Sequence, residues 1–251
     1  VCFDPDSSPP IEPVSGGAAR HRDLTLQAAD GSRFAAVEAF ADRPGGAAVV
    51  ILPDVRGLFR FYEELAERLA EAGHDALAID YFGRTAGVGK RGEDFPFMDH
   101  VNRTTAAGVR ADVAAAVAHL RSGHPDRTVV TLGFCFGGSN SWQQAANRHG
   151  LAGAIGFYGN PLRVWPPGAP AVVDRVGEMD CPILGLMAGD DPGIPADAVT
   201  AFERALAAAG VQHDLVTYPG APHSFFDRKQ EQFRTQSADA WERVLAFLGK
   251  L

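Results

Sequence analysis

Apolar and polar positions along this chain change period several times, and the changes mark the elements. Asp23–Ala28 and Arg33–Phe40 flank Asp30-Gly31, which predicts a β-hairpin with a tight turn. Ala47–Leu52 is an uninterrupted apolar run, suited to a strand covered on both faces. Phe59–Ala72 switches to helical spacing and stops at Gly73, a C-terminal cap. Ala76–Ile79 reads as a short buried strand, Gly83–Met98 as a long glycine-rich loop, and Arg103–Leu120 as an alanine-rich helix. Val129–Gly133 is a strand with a helix, Gly138–His149, following almost at once. Further strands at Ala152–Tyr158, Ile183–Ala188 and Asp214–Tyr218 are joined by a helix at Ala196–Ala209, ended by Gly210, and followed by one at Gln236–Leu248. Strands alternating with helices in this way imply βαβ units, a mostly parallel central sheet and helices on both faces. Residues 1–20 read as an irregular arm rich in Pro, Ser, Gly and Asp, and residues 21–251 as one α/β domain without repeat or linker.

Composition narrows the field. With 251 residues, 46% of them hydrophobic, the chain buries a sizeable core and is not a disordered protein. The 23 Lys and Arg against 31 Asp and Glu give a net charge of −8, which disfavours nucleic acid or an anionic membrane as partner. No apolar run approaches the length of a bilayer span, and Val1–Asp6 lacks the basic and apolar regions of a signal peptide. Three cysteines, Cys2, Cys135 and Cys181, make no disulfide framework and favour a reducing, cytoplasmic compartment. His74, His100, His119, His124, His149 and His213 show no paired metal-ligand spacing, and neither a phosphate loop nor a dinucleotide fingerprint occurs. No cofactor is expected.

The informative stretch is Gly133-Phe134-Cys135-Phe136-Gly137-Gly138, which sets a potential nucleophile among glycines between a buried strand and a helix. This is the nucleophile elbow of the α/β-hydrolase fold with cysteine in place of serine. The turn is too sharp for side chains on its flanks. The N–H groups that follow, at a helix N-terminus, can hold an oxyanion and favour a thiolate. Such a fold requires an acid and then a histidine after later strands, and the chain offers Asp190-Asp191 after Ala188 and His223 after Tyr218. Each follows the C-terminal end of a predicted strand, where open parallel sheets build their sites. A buried structural cysteine and an ordinary loop histidine are the alternatives, and the order of all three residues weighs against them. Tyr158, just after a strand end, could face substrate, and Cys181 reads as a buried small residue.

These motifs resemble the dienelactone hydrolase family, the cysteine-nucleophile branch of the α/β-hydrolases. The resemblance rests on the cysteine elbow, Gly189-Asp190-Asp191 ahead of Pro195, Gly220-Ala221-Pro222-His223-Ser224-Phe225, and Leu52-Pro53-Asp54-Val55-Arg56-Gly57 with Asp80-Tyr81. It implies Cys135 as nucleophile, Asp191 as triad acid and His223 as base. It also implies Asp54 as the acidic residue that activates the thiol, Val55 and Phe136 N–H as oxyanion donors, and Tyr158, Ser224 and Arg228 on the substrate pocket. Relatives that cleave dienelactone bind its carboxylate with two arginines, one of them four residues after the histidine. Here that position is Asp227, with Arg228 next, while Arg84, Arg91 and Arg103 are the arginines near the second position. An unpaired Asp227 would repel an anionic substrate, so a preference for neutral esters or lactones is expected. The implied activity is hydrolysis of a small-molecule carboxylic ester or lactone through a cysteinyl acyl-enzyme. A broad carboxylesterase or thioesterase, or a non-catalytic ligand or redox sensor, remains open, as does the oligomeric state.

Overall fold

The computed structural model describes residues 6–13, 20–42, 45–166 and 168–251. Cys2 and most of the expected N-terminal arm lie outside them. The sheet has eight strands: β1 (Arg20–Gln27), β2 (Arg33–Phe40), β3 (Ala48–Leu52), β4 (Ala76–Ile79), β5 (Val129–Phe134), β6 (Gly153–Phe157), β7 (Ile183–Asp190) and β8 (His213–Pro222). Their order is β1-β2-β4-β3-β5-β6-β7-β8. The hairpin β1–β2 pairs in antiparallel register and joins β4 antiparallel, whereas every pairing from β4 through β3 to β8 is parallel. Every residue of β3, β4, β5 and β6 is buried. Successive side chains point to opposite faces, so both faces of the central sheet are covered.

The helices are α1 (Arg60–Glu71), α2 (Gly83–Ala86), α3 (Phe97–Val101), α4 (Ala106–Leu120), α5 (Phe136–Ala145), α6 (Ala196–Ala209) and α7 (Arg234–Leu248). In α1 the buried set Phe61, Tyr62, Leu65, Ala66, Leu69 and Ala70 is the amphipathic stripe that the sequence spacing predicts. The expected loop Gly83–Met98 instead contains α2 and the start of α3, turns too short to show a period. Helix α4 starts three residues later than expected, because the Thr105 hydroxyl accepts the Gly108 N–H at 3.1 Å and caps it there. Gly210 takes φ 69° and ends α6 as expected. A 3-10 turn over Val172–Glu178, absent from the sequence reading, packs on α5 and α6. No helix among the described residues is long and apolar enough to cross a membrane.

The core places an aromatic cluster under the end of β5. Phe134 stacks on Phe157 at 4.6 Å between ring centroids and meets Phe61, Tyr62 and Phe226 edge-on or tilted. Rings of this size each bury a large apolar area, and their packing fixes the strand end on which Cys135 follows.

Candidate active site

The elbow is built by close approach. Strand β5 ends at Phe134, and α5 begins at Phe136, two residues earlier than the sequence predicted, so Cys135 alone makes the turn. A Cβ on Gly133 would lie 1.9 Å from Gly137 O, and one on Gly137 would lie 2.0 Å from Leu52 O. Glycine is required at both positions because strand, helix and the neighbouring β3 end touch through their backbones. Cys135 itself takes φ 54° and ψ −112°, a strained conformation for a residue with a side chain. Among the described residues four non-glycines have φ in this range, and Cys135, Tyr158 and Ser224 are three of them, all at this end of the sheet. The first-turn N–H groups of α5, Phe136 included, have no acceptor within the helix and are available to an anion.

The acid and histidine converge as the topology requires. Strand β7 runs two residues further than expected, with Asp190 paired to Pro222 across an irregularity at Gly189. Alternation then exposes Asp190 and turns Asp191 inward, where it is buried. Asp191 Oδ2 lies 2.5 Å from His223 Nδ1, and Asp191 Oδ1 accepts the Gly193 N–H at 2.9 Å. This pairing orients the imidazole, and its Nε2 is buried at the cavity. Cys135, Asp191 and His223 all line one cavity of ≈ 310 Å³.

Phe136, Tyr158, Trp165, Arg163, Arg228 and Asn160 also border it. The Tyr158 ring lies 4.9 Å from that of His223, and burial holds its hydroxyl well above the usual tyrosine range. Asn160 donates to Gly193 O at 2.8 Å and accepts from the Ser139 hydroxyl through its backbone oxygen at 3.1 Å, tying three walls together. A larger groove of ≈ 720 Å³ lies beside Ala47, Asp75 and Thr128. Those residues precede β3, β4 and β5, so it sits at the N-terminal strand ends, opposite the elbow.

Several sequence expectations need correction. Ser224 is 1% exposed and is not among the residues that line the cavity; its carbonyl accepts the Asp227 and Lys229 N–H groups. Asp227 is not an unpaired charge in the pocket. It is buried and ion-paired to Arg56, which also holds Asp54. Burial raises the Asp227 carboxyl to about 6, against the pull of Arg56. Asp54 sits at the turn after β3, with both carboxylate oxygens engaged by Arg56. Val55, between them, is buried. Arg84 pairs with Asp30 and Asp112, Arg91 pairs with Asp80, and Arg103 is exposed, so none of these three lines the cavity. Arg163 does, from the loop after β6, where its guanidinium lies 4.2 Å over the Trp165 ring. Neither residue stands in a periodic segment or a motif: Trp165 reads from the sequence as a core aromatic rather than pocket lining, and nothing in the sequence marks Arg163 or Asn160 for the site. Cys181 is buried, and burial pushes its thiol up to about 12, the behaviour of an inert core cysteine.

Residues 34–251 match the model of the dienelactone hydrolase family. The chain belongs to that family. A protein of Escherichia coli K12 named "Putative carboxymethylenebutenolidase" is 30% identical over 203 residues, 78% of this chain and 74% of its own length. One of the same name from Methylorubrum extorquens AM1 is 29% identical over 203 residues, 78% of this chain and 69% of its own. A Klebsiella pneumoniae crystal structure titled "Putative Dienelactone Hydrolase" superposes with a TM-score of 0.80 at 27% identity, covering 93% of this chain and 100% of that one. Dienelactone hydrolase-family membership makes the chain an ester- or lactone-cleaving hydrolase, and its sheet is the α/β-hydrolase sheet of that family.

Proposed function

We propose that the protein hydrolyses a small carboxylic ester or lactone through a cysteinyl acyl-enzyme. The observation that carries this reading is the 2.5 Å pairing of His223 Nδ1 with Asp191, in the cavity that the strained Cys135 elbow also lines. His223 Nε2 accepts the Cys135 thiol proton, and the thiolate sulfur bonds to the carbonyl carbon. The Val55 and Phe136 N–H groups hold the resulting oxyanion. As the oxyanion collapses, the C–O bond breaks and the leaving oxygen takes the proton from His223. In a lactone that hydroxyl stays tethered to the acyl group. His223 then removes a proton from water as its oxygen attacks the thioester carbon, and on collapse the C–S bond breaks, the acid is released and the His223 proton returns to the Cys135 sulfur. Asp191 fixes the tautomer and stabilises the imidazolium. Asp54, committed to Arg56, contributes a fixed negative charge rather than the base. This thiol chemistry suits a reducing compartment such as the cytoplasm, and residues 21–251 act as one catalytic unit.

Arg163 and Arg228 on the cavity border, with Asp227 neutralised behind it, favour substrates that carry a carboxylate beside the scissile bond. The test of the mechanism is acid quenching during turnover of p-nitrophenyl acetate, with peptide mass mapping. Acetylation at Cys135, and loss of both adduct and turnover in Cys135→Ala with the circular dichroism unchanged, is expected. Near-normal turnover by Cys135→Ala, or sulfenylation of the native thiol without turnover, would refute the acyl-enzyme.

A further inference from the structure

One cation ties two halves of the site together. Arg56 is 3% exposed, as are Asp54 and Asp227. Its backbone N–H donates to Asp54 Oδ1 at 2.8 Å, its Nε to both Asp54 oxygens at 3.1 and 3.0 Å, and its Nη2 to Asp54 Oδ2 at 2.8 Å. The same Nη2 donates to Asp227 Oδ2, across 171 residues of sequence. The guanidinium lies 5.1 Å over the Phe59 ring and 5.7 Å from those of Phe61 and Tyr62, and the Tyr62 hydroxyl accepts the Asp54 N–H at 3.0 Å. Asp54 and Arg56 bracket Val55 in the turn after β3. Asp227 stands four residues beyond His223, with its N–H on Ser224 O and its carbonyl on Gln230 N–H. The cation is therefore anchored on one loop that carries the histidine and on one turn that carries an oxyanion donor.

We propose that Arg56 is a positioning residue, clamping the Val55 turn onto the His223 loop so that the oxyanion donor and the base keep a fixed separation. This rests on the cysteine mechanism proposed above. A guanidinium is suited to the task because its planar fork serves two carboxylates at once, which a single ammonium cannot do in the same geometry. Asp54 and Asp227 then act as the anchors of the clamp. Two carboxylates on one buried cation would be costly as a stability device alone, and their placement on the Val55 turn and on the His223 loop gives the expense a function. Loosening the clamp should let the Val55 N–H drift while leaving Cys135 and the cavity walls in place. The loss should fall on the transition state more than on substrate binding.

The test compares an aryl oxoester with its thionoester analogue, whose sulfur accepts hydrogen bonds weakly and so depends less on the oxyanion donors. Arg56→Lys is expected to lower kcat on the oxoester by roughly tenfold to a hundredfold with KM changed less than about threefold. The loss on the thionoester should be smaller, so that the oxo-to-thiono ratio of kcat/KM falls by about fivefold or more. Equal losses on the two substrates, or no loss, would overturn the proposal. Should Arg56→Lys fail to fold, Asp227→Asn weakens the tie to the histidine loop and leaves the Asp54 end of the clamp in place, touching besides it only the Ser7 contact of Asp227. It is expected to lower kcat about threefold or more with the same skew between the substrates, and native behaviour in that variant would overturn the proposal. Where both single variants fold, the double variant should fall no further than Arg56→Lys alone, because both act through one cation, and additive losses would overturn the clamp. Cys135→Ala run alongside separates the outcomes, since turnover retained there refutes the cysteine mechanism rather than the role of Arg56.

Discussion

Replacing the arginines at the cavity border should change the protein's preference between charged and neutral esters by an amount set by Coulomb's law. Arg163 and Arg228 border the cavity that holds Cys135 and His223, while Asp227 is buried against Arg56. Two unit charges roughly 5 Å apart interact by about 3 kcal/mol at an effective dielectric near 20 and by about 0.8 kcal/mol at that of water. Both arginines are exposed, so the lower half of that span applies. About 1 kcal/mol for each corresponds to a preference of roughly fivefold per arginine and of order thirtyfold for the pair. The assay compares kcat/KM for p-nitrophenyl hydrogen glutarate and for its methyl ester, which removes the charge and changes little else near the scissile bond. The native protein is expected to favour the acid. Arg228→Ala and Arg163→Ala should each remove a few-fold of that preference, and the double variant most of it. Raising the salt well above 0.1 M, where the screening length is about 10 Å, should compress the native ratio without reversing it. A native preference for the methyl ester, or a preference for the acid that survives the double variant, would show that these arginines do not face the substrate.

Other consequences are as direct. Asp191→Asn should lower kcat/KM by roughly a hundredfold to ten-thousandfold, because the buried partner of His223 Nδ1 is lost, whereas exposed Asp190→Asn should stay within about twofold. Equal losses would refute the assignment of the acid. Gly137→Ala should destabilise the fold by about 3 kcal/mol or more in denaturant titration, since its Cβ would meet Leu52 O at 2.0 Å, while Gly177→Ala, with open space around it, should be nearly neutral. A stable, active Gly137→Ala would contradict the close approach at the elbow. His149 is lowered to about 4, chiefly by burial and then by Arg110, so between pH 6.5 and 4 the unfolded chain binds the extra proton and stability falls as the pH falls. The stability difference between native protein and His149→Gln should therefore shrink by about 1–3 kcal/mol over that window, with the opposing contributions of Asp112 and Asp227 cancelling in the difference. A difference independent of pH would show that His149 keeps its ordinary titration.

The parts of the fold and site that the sequence made legible are those set by local chemistry. The switch from a buried apolar run to glycine-flanked Cys135 announces a strand, an elbow and a helix, because glycines on both flanks let strand and helix backbones touch, as they do at Gly133 and Gly137. The sequence places the helix start two residues late because Gly137 and Gly138 are poor helix formers, whereas packing of Gly137 on the β3 end and of Gly138 on the β6 end holds them helical. The choice of Asp191 over Asp190 came from a motif, whereas its physical cause is the extra length of β7 and its pairing with Pro222. Arg163 leaves no trace and Trp165 reads only as a core aromatic, since both sit in irregular chain between β6 and the 3-10 turn, where no period is imposed. Arg56 was in plain view in its motif. What hid its role was the separation of 171 residues from Asp227, a distance that only the assembled sheet closes.

A net charge of −8 would by itself suggest a protein that repels anions. At this site the charges are sorted so that the average misleads. Asp54 and Asp227 are held by Arg56, Asp80 by Arg91, and Asp191 by His223, each carboxylate buried with a cation or imidazole against it. Burial makes such pairing compulsory, because an uncompensated carboxylate in this interior would cost several kcal/mol or take up a proton. Those neutralising partners are spent inside, which leaves the field at the cavity border to the exposed arginines of two different loops. The same economy links specificity to catalysis. The guanidinium that pairs with Asp227 is also the one that joins the Val55 turn to the His223 loop, the turn and loop to which the proposed mechanism gives the oxyanion donor and the base. An aspartate four residues past the histidine is then compatible with an anionic substrate provided that Arg56 is present. It follows that Arg56→Gln, above the pH at which Asp227 without its partner ionises, should cost the carboxylate-bearing ester more than its neutral analogue, and that the difference should vanish below it.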